Sequence, residues 1–403
     1  MRSSTSDNGR HTVARKLKNT AAILAGIAVL VTFGGTRTKA QTETTRKPFQ
    51  PKAKTSFEFG YLGEYESNLY HVYADTAEKS SMLNGIYGNV DWKYKASRRV
   101  THRATAYADL GLYAASKYSD RNTYSFGLKY EPDFHPNKNI EIAPHVEISR
   151  RSKNVIDDIS PDPTRTLKKT QLDAGVTTRF DVGKGRLDVS GGYQNNNYDE
   201  SDTVLAGGTT QPLTSWDYHE WQWGAEFRQP FARTVVARVE YSLDKRSYRE
   251  RYQWVSGGQI QLRRFTYSSV GGHIVWEFVT NNSIDLNVKY TLRKDSRNDT
   301  RNNFYGYTFW QYGAEIDLAP SARFTVNAAF EVKSKDYPNY YTSRIGIMNR
   351  VKIDYTDFSI EPAYKLSDVV AVVGYLRNYD KTSNDPLFDY HDLFVGAGFR
   401  LNW

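Results

Sequence analysis

Asp392-Leu-Phe-Val-Gly-Ala-Gly-Phe-Arg-Leu-Asn-Trp403 alternates without a break. Leu393, Val395, Ala397, Phe399, Leu401 and Trp403 are apolar, while Asp392, Phe394, Gly396, Gly398, Arg400 and Asn402 are mostly polar or small. A period of two puts successive side chains on opposite faces of an extended chain, so the segment predicts a strand with one apolar face. The same period recurs upstream. Leu172, Ala174, Val176, Thr178, Phe180 and Val182 alternate with Asp173, Gly175, Thr177, Arg179 and Asp181. Ile284 to Leu292 alternate with Asp285 to Arg293, and Phe324 to Val332 with Thr325 to Lys333. No segment carries a convincing helical stripe.

The breaks are periodic too. Short polar turns fall near Ser97-Arg98-Arg99, His135-Pro136-Asn137, Gly183-Lys184-Gly185, Gln229-Pro230-Phe231, Asn281-Asn282, Ala319-Pro320-Ser321 and Ser367-Asp368. Between them lie longer polar stretches at 66–81, 115–122, 152–169, 198–217, 246–261, 294–304, 337–344 and 380–389. Alternating short turns and long loops is the hairpin plan of an outer-membrane barrel, with the turns toward the periplasm. The pattern predicts about 16 strands: 54–66, 82–95, 103–115, 122–133, 139–151, 170–182, 186–198, 218–229, 234–246, 262–278, 283–294, 305–318, 322–335, 345–366, 368–379 and 391–403. The segment 345–366 breaks the rule. Its apolar residues are odd-numbered through Ile345, Ile347, Val351, Ile353 and Tyr355, then even-numbered through Phe358, Ile360 and Tyr364. A bulge or bend near Thr356 is the expected cause.

The polar face decides between a membrane barrel and a soluble sandwich. It carries Glu141/His145/Glu147, Arg186/Asp188, Glu220/Glu226/Arg228 and Arg238/Glu240/Asp244. So many charges need water on that face, whereas the inner faces of a sandwich form a dry core. Lipid outside and water inside suit both faces, and closure satisfies every backbone N–H and C=O. The chain has 8 Trp, 30 Tyr and 19 Phe among 403 residues. Trp92/Tyr94, Trp221/Trp223, Trp276/Phe278 and Trp310/Tyr312 share the apolar parity near strand ends, where interfacial girdles belong. The expected fold is all-β: a transmembrane antiparallel up-and-down barrel.

The net charge of +9 does not make a nucleic-acid binder. Arg2, Arg10, Arg15, Lys16, Lys18, Arg37 and Lys39 oppose Asp7 alone within residues 1–40, so most of the excess lies outside the barrel. That segment continues with the apolar run Ala21–Phe33 and ends in Thr38-Lys39-Ala40 before Gln41, the layout of a cleavable secretory signal. The expected organisation is signal peptide 1–40, a short periplasmic tail 41–53 and an outer-membrane barrel 54–403. With no cysteine there is no disulfide, thiolate nucleophile or lipid-bearing cysteine.

Phe399-Arg-Leu-Asn-Trp403 resembles the β-signal of bacterial outer-membrane proteins, which the barrel-assembly machinery reads on the final strand. The resemblance makes Phe399, Leu401 and Trp403 an expected assembly signal. The whole of 54–403 resembles an outer-membrane porin. The opening strand ends in Tyr65-Glu-Ser-Asn68, similar to the Tyr-x-Ser-Asn start of the β-barrel porin 2 family. That resemblance implies a pore in a Gram-negative outer membrane, and some members of such families accompany exopolysaccharide export.

Candidate chemistry is sparse. The eight histidines include no pair at metal-ligand spacing. His145 and His273 fall on the inward parity and read as wall residues. His219 beside Asp217 and Glu220 is the nearest approach to a catalytic cluster, and no motif marks a nucleophile, so no enzyme, metal or cofactor is expected. Asp157-Asp158 with Asp162, and Asp199-Glu200 with Asp202, offer carboxylates that Ca²⁺ favours but read better as solvated loop charge. Arg165, Lys168 and Lys169 are placed to meet lipopolysaccharide phosphates.

The expected pore lining is Glu58, Asp91, Lys93, Asp109, Lys129, Glu141, Glu147, Asp173, Arg179, Arg186, Asp188, Glu226, Arg228, Arg238, Glu240, Asp285, Lys289, Arg293, Glu315, Asp317, Glu331, Lys333 and Arg400. Mixed signs predict a hydrated interior with modest ion selectivity. Sixteen strands leave an aqueous channel when nothing fills it, and loop 152–169 is the expected constriction. The function expected is passive passage of hydrophilic solutes. The alternatives are a conduit for exopolysaccharide, or a structural or adhesive barrel with a closed lumen. The expected partners are outer-membrane lipid and lipopolysaccharide, the assembly machinery, and small solutes or polysaccharide. Monomer and trimer both stay open.

Overall fold

A computed structural model describes residues 50–67, 80–115, 122–155, 165–199, 202–204, 210–212, 217–254, 260–296, 305–342, 349–385 and 389–403. Their alternating sequence folds into strands β1 (Lys52–Glu66), β2 (Ser81–Lys95), β3 (Val100–Tyr113), β4 (Thr123–Asn137), β5 (Ile140–Val155), β6 (Arg165–Val182) and β7 (Gly185–Tyr198). A short hairpin, β8 (Asp202–Val204) and β9 (Thr210–Pro212), follows inside the expected fourth long loop. Then come β10 (Tyr218–Pro230), β11 (Val235–Trp254), β12 (Ile260–Val279), β13 (Asn282–Asp295), β14 (Tyr307–Leu318), β15 (Phe324–Thr342), β16 (Asn349–Lys365), β17 (Val370–Ser383) and β18 (Tyr390–Asn402).

Apart from β8 and β9, each strand pairs with its neighbours in chain order, and β1 pairs with β18 to close a 16-stranded antiparallel up-and-down barrel. The closing seam runs from Glu58↔Asn402 to Glu66↔Phe394. On its outer side Phe57 stacks on Trp403 at 5.9 Å, and Phe59 and Tyr61 flank Phe399 at 6.2 and 5.9 Å.

Three short turns share one device. The hydroxyls of Ser97, Ser321 and Ser367 accept N–H bonds two residues on, from Arg99, Arg323 and Val369 at 3.1, 3.3 and 3.2 Å. This side-chain turn reverses the chain within a few residues. Two other turns use the left-handed region, at Gly183 (φ 62°) and Asn281 (φ 63°), residue types that tolerate it.

The two faces separate cleanly. Val90, Trp92, Phe126, Leu128, Val176, Trp221, Trp223, Val239, Val270, Trp276, Leu286 and Trp310 are exposed on the outer wall. Such a continuous apolar band is stable against lipid rather than water. The residues between them face the lumen.

Strand β16 differs from expectation. It pairs with β15 in unbroken register from Phe324↔Tyr364 to Tyr337↔Val351, with no bulge at Thr356. Its odd-numbered residues therefore face the lumen throughout. Val351, Ile353 and Tyr355 are inward-pointing and pack with Tyr337 into a buried cluster, while Phe358 and Tyr364 lie exposed on the outer wall. The apparent parity switch is a change in what covers the inner face, not in backbone geometry. The irregularity in this pair lies farther on, between Tyr337 and Tyr341.

Candidate functional site: the lumen wall

All 23 expected lining residues stand on the strand parity opposite the exposed apolar side chains. The half of the wall nearest the short turns is held by charge pairs, some crossing strands and others joining residues two apart on one strand. On β4 to β7, Arg179 pairs with Glu141 and reaches Asp188 at 3.7 Å and Asp133 at 4.0 Å. Arg186 joins Asp188 at 2.9 Å and Glu141 at 3.9 Å. Asp133 also binds Arg103 at 2.6 Å, and Lys129 binds Glu131 at 2.8 Å. Asp133 is buried at 1% exposure, which makes its two arginines necessary: an unpaired carboxylate there would lose hydration without replacement.

The pattern continues around the ring. Arg228 meets Glu226 and Arg238 meets Asp285, at 2.8 and 2.9 Å, and Lys289 meets Glu240 at 2.9 Å. Lys333 pairs with Glu331, which also accepts from Gln311, and Asn327 donates to both Glu315 and Asp317. Arg400 reaches Glu361 at 2.9 Å, Glu58 at 3.6 Å and the Tyr87 hydroxyl at 3.1 Å. Asp91 accepts from Thr105 at 2.6 Å. Tyr107 donates to Glu147 at 2.7 Å, and Glu147 lies 3.3 Å from Arg151. Lys93 and Asp109 are exposed and make no ion pair among the described residues.

The inward histidines are tied to the wall, His145 to Asp173 at 2.8 Å and His273 to Asp285 at 3.4 Å. The His219 cluster splits: Asp217 shares the outward parity of His219 and accepts the Tyr198 N–H at 2.7 Å, while Glu220 lies on the other face. His219 stacks beside Tyr193 on the outer wall, while Glu220 faces the lumen and accepts from Arg246 at 2.7 Å. Adjacent residues of one strand cannot share a face. Lys169 also departs from expectation: its ammonium turns inward to Gln171 and Asn196, at 3.0 and 2.8 Å, away from any lipid phosphate. Asp199 is held by Arg150 at 2.5 Å, as an exposed ion pair rather than a cation site. The Asp157, Asp158 and Asp162 carboxylates, residues 156–164 of the loop 152–169 and residues 1–49 lie outside the described residues, as do the side chains of Arg165, Glu200 and Asp202.

Toward the long-loop end the wall changes character from β10 to β18. Tyr218, Tyr248 and Phe265 form one buried cluster, flanked by Tyr198, Tyr267 and Tyr305. The cluster of Tyr337, Val351, Ile353 and Tyr355 forms the other, flanked by Tyr307 and Tyr379. Cations lie across these rings: Arg246 at 4.2 Å from Tyr218, Arg263 at 3.8 Å from Tyr305 and Arg293 at 4.2 Å from Tyr307. Lys335 stands 5.0 Å from Tyr307. Arg293, expected as a simple lining charge, is thus engaged with rings and with the Tyr305 carbonyl at 2.8 Å. The expected lining omitted Arg103, Asp133, Asp357, Glu361 and Arg377, although their inward parity was readable. It also omitted the aromatic clusters, whose apolar residues occupy positions expected to be polar.

No known protein family matches the chain, and no curated protein does. The Tyr65-Glu-Ser-Asn68 start therefore remains a resemblance. Solved structures similar to it are barrels. An anion-selective porin from Comamonas acidovorans is 8% identical over 88% of this chain and 100% of its own, with a TM-score of 0.46. The outer membrane protein opdK from Pseudomonas aeruginosa is 11% identical over 87% and 99%, with a TM-score of 0.45. A bacterial polysaccharide outer membrane secretin is 10% identical over 87% and 98%, with a TM-score of 0.42. Each is a likeness of fold.

Proposed function

We propose that the chain is a bacterial outer-membrane channel that passes hydrophilic solutes passively through its lumen. One observation carries the reading: the outer wall presents bare apolar side chains while the inner wall presents charges of both signs, paired across strands. An interior built of charges demands water, and a 16-stranded barrel has room for it. Near-balanced signs make the pore weakly ion-selective. In this reading Phe399, Leu401 and Trp403, which share the outward face of β18, are what the assembly machinery recognises.

A second reading is a barrel closed near the long loops, favoured by the buried Tyr337–Ile353 and Tyr248–Phe265 clusters on the lumen side. Single-channel recording of the refolded full chain in a planar bilayer separates the two. Stepwise conductance supports the channel. A folded, inserted and electrically silent barrel rejects it in favour of the closed form.

A further inference from the structure

Among the described residues, the outer wall carries a cationic patch that the channel reading does not use. Lys245 on β11, Arg264 on β12 and Lys294 on β13 share the outward parity with exposed Tyr241, Val270 and Leu286, and Arg249 extends the β11 row toward the long loops. All four are exposed. None forms an ion pair among the described residues. The register sets Lys245 opposite Thr266 and Thr266 opposite Lys294, so the two ammonium groups spring from positions about 10 Å apart. Arg249 is steadied by Asn195 and Asn197, at 2.5 and 3.3 Å. His219, on β10 beside the β11 row, feels the charges of both Arg249 and Arg264. Among the described residues, Asp217 shares the outward parity of His219, and it is buried and accepts the Tyr198 N–H at 2.7 Å.

The patch sits on the edge of the apolar band. Lys245 lies 5.7 Å from the Trp223 ring, and Trp221 stacks with Trp223 just below it. Tryptophans of this kind mark the headgroup level, so the four cations stand where lipid phosphates lie. The rim of β15 to β18 is different: Asp336, Asp354 and Asp380 share it with Lys352 and His391. Exposed outward cations also occur at Lys168 on β6 and Arg350 on β16, but among the described residues β11–β13 gathers four of them.

We infer that Lys245, Arg249, Arg264 and Lys294 form a docking site on the outer wall for the phosphates of a lipid headgroup at the long-loop interface. The inference rests on the membrane reading of the barrel but not on whether the lumen conducts. Cations without a carboxylate partner at an interface attract anionic lipid phosphates.

The test uses the refolded full chain in phosphatidylcholine vesicles doped with bisphosphorylated lipid A or with its phosphate-free counterpart, and compares retained lipid by native mass spectrometry. The chain is expected to hold the phosphorylated lipid about ten-fold more tightly. A Lys245→Gln/Arg249→Gln/Arg264→Gln/Lys294→Gln variant is expected to lose that preference. A control variant at the short-turn end, Arg99→Gln/Lys184→Gln/Arg233→Gln/Arg323→Gln, is expected to keep it. Equal retention of the two lipids, an undiminished preference in the first variant, or displacement by equimolar inorganic phosphate overturns the inference. If the quadruple variant does not show the gel shift of a folded barrel, the Lys245/Lys294 and Arg249/Arg264 double variants replace it, and no loss in either overturns the site. A chain that fails to insert at all fails the membrane reading; one that inserts without a phosphate preference fails this inference alone.

Discussion

Arg179 reaches carboxylates on three other strands, Asp133 of β4, Glu141 of β5 and Asp188 of β7, and so ties four neighbours across the inner wall. Arg179→Gln leaves Asp133, Glu141 and Asp188 to Arg103 and Arg186, with Asp133 buried, and is expected to cost on the order of 2–4 kcal/mol in urea unfolding of the refolded barrel. Arg228 is half exposed and meets only Glu226 of its own strand among the described residues, so Arg228→Gln is expected to cost less than about 1 kcal/mol. Equal losses would mean that water, not the arginine, satisfies the cluster. Glycine makes a second contrast. A Cβ on Gly398 would lie 1.8 Å from the Tyr61 carbonyl at the closing seam, whereas one on Gly191 meets nothing nearer than Trp223 at 3.9 Å. Gly398→Ala is therefore expected to destabilise by about 1–3 kcal/mol or more, with Gly191→Ala close to neutral, in the same unfolding assay.

At the scale of the strand, β16 shows what a period-two pattern can and cannot reveal. Parity placed Glu141, Arg179 and Asp285 on the inner wall because each sits among lipid-facing neighbours of opposite character. It failed where both faces are apolar. Val351, Ile353 and Tyr355 look like a lipid-facing row when read alone, yet they are the inner face of a strand whose register to β15 never shifts. The strand ends were harder for a related reason: β11, β12 and β15 run past the apolar band into polar segments, where alternation has no solvent contrast to record. The ion-pair partners across strands were not legible either, because register depends on turn geometry as well as pattern. If the inward cluster is packed core, Ile353→Ala is expected to cost about 2–4 kcal/mol, with lipid-facing Phe358→Ala costing less. Urea titrations of the two variants in one lipid check the order. The reverse order would put Ile353 back on the lipid face and restore a bend near Thr356.

For the molecule as a whole, the lumen is asymmetric along its axis. Its short-turn half is a lattice of paired charges, and its long-loop half, from β10 round to β18, carries buried aromatic clusters crossed by cations. Ion selectivity and pore width should therefore be set at different heights. Lys93, inward, exposed and free of ion pairs among the described residues, is a charge that can be reversed without breaking the lattice. Lys93→Glu is expected to move the zero-current potential in a KCl gradient toward cation preference while leaving the conductance steps nearly unchanged. Trimming the other half should do the opposite. Tyr337→Ala with Ile353→Ala removes bulk from the wall of the long-loop half, so larger steps are expected with little change in selectivity. The physical reason is that an apolar wall controls width but adds no field, whereas a lone charge adds field at almost constant width. Steps that respond to Lys93→Glu but not to the double truncation would place the narrowest point in the charged half, against the arrangement inferred from the buried clusters.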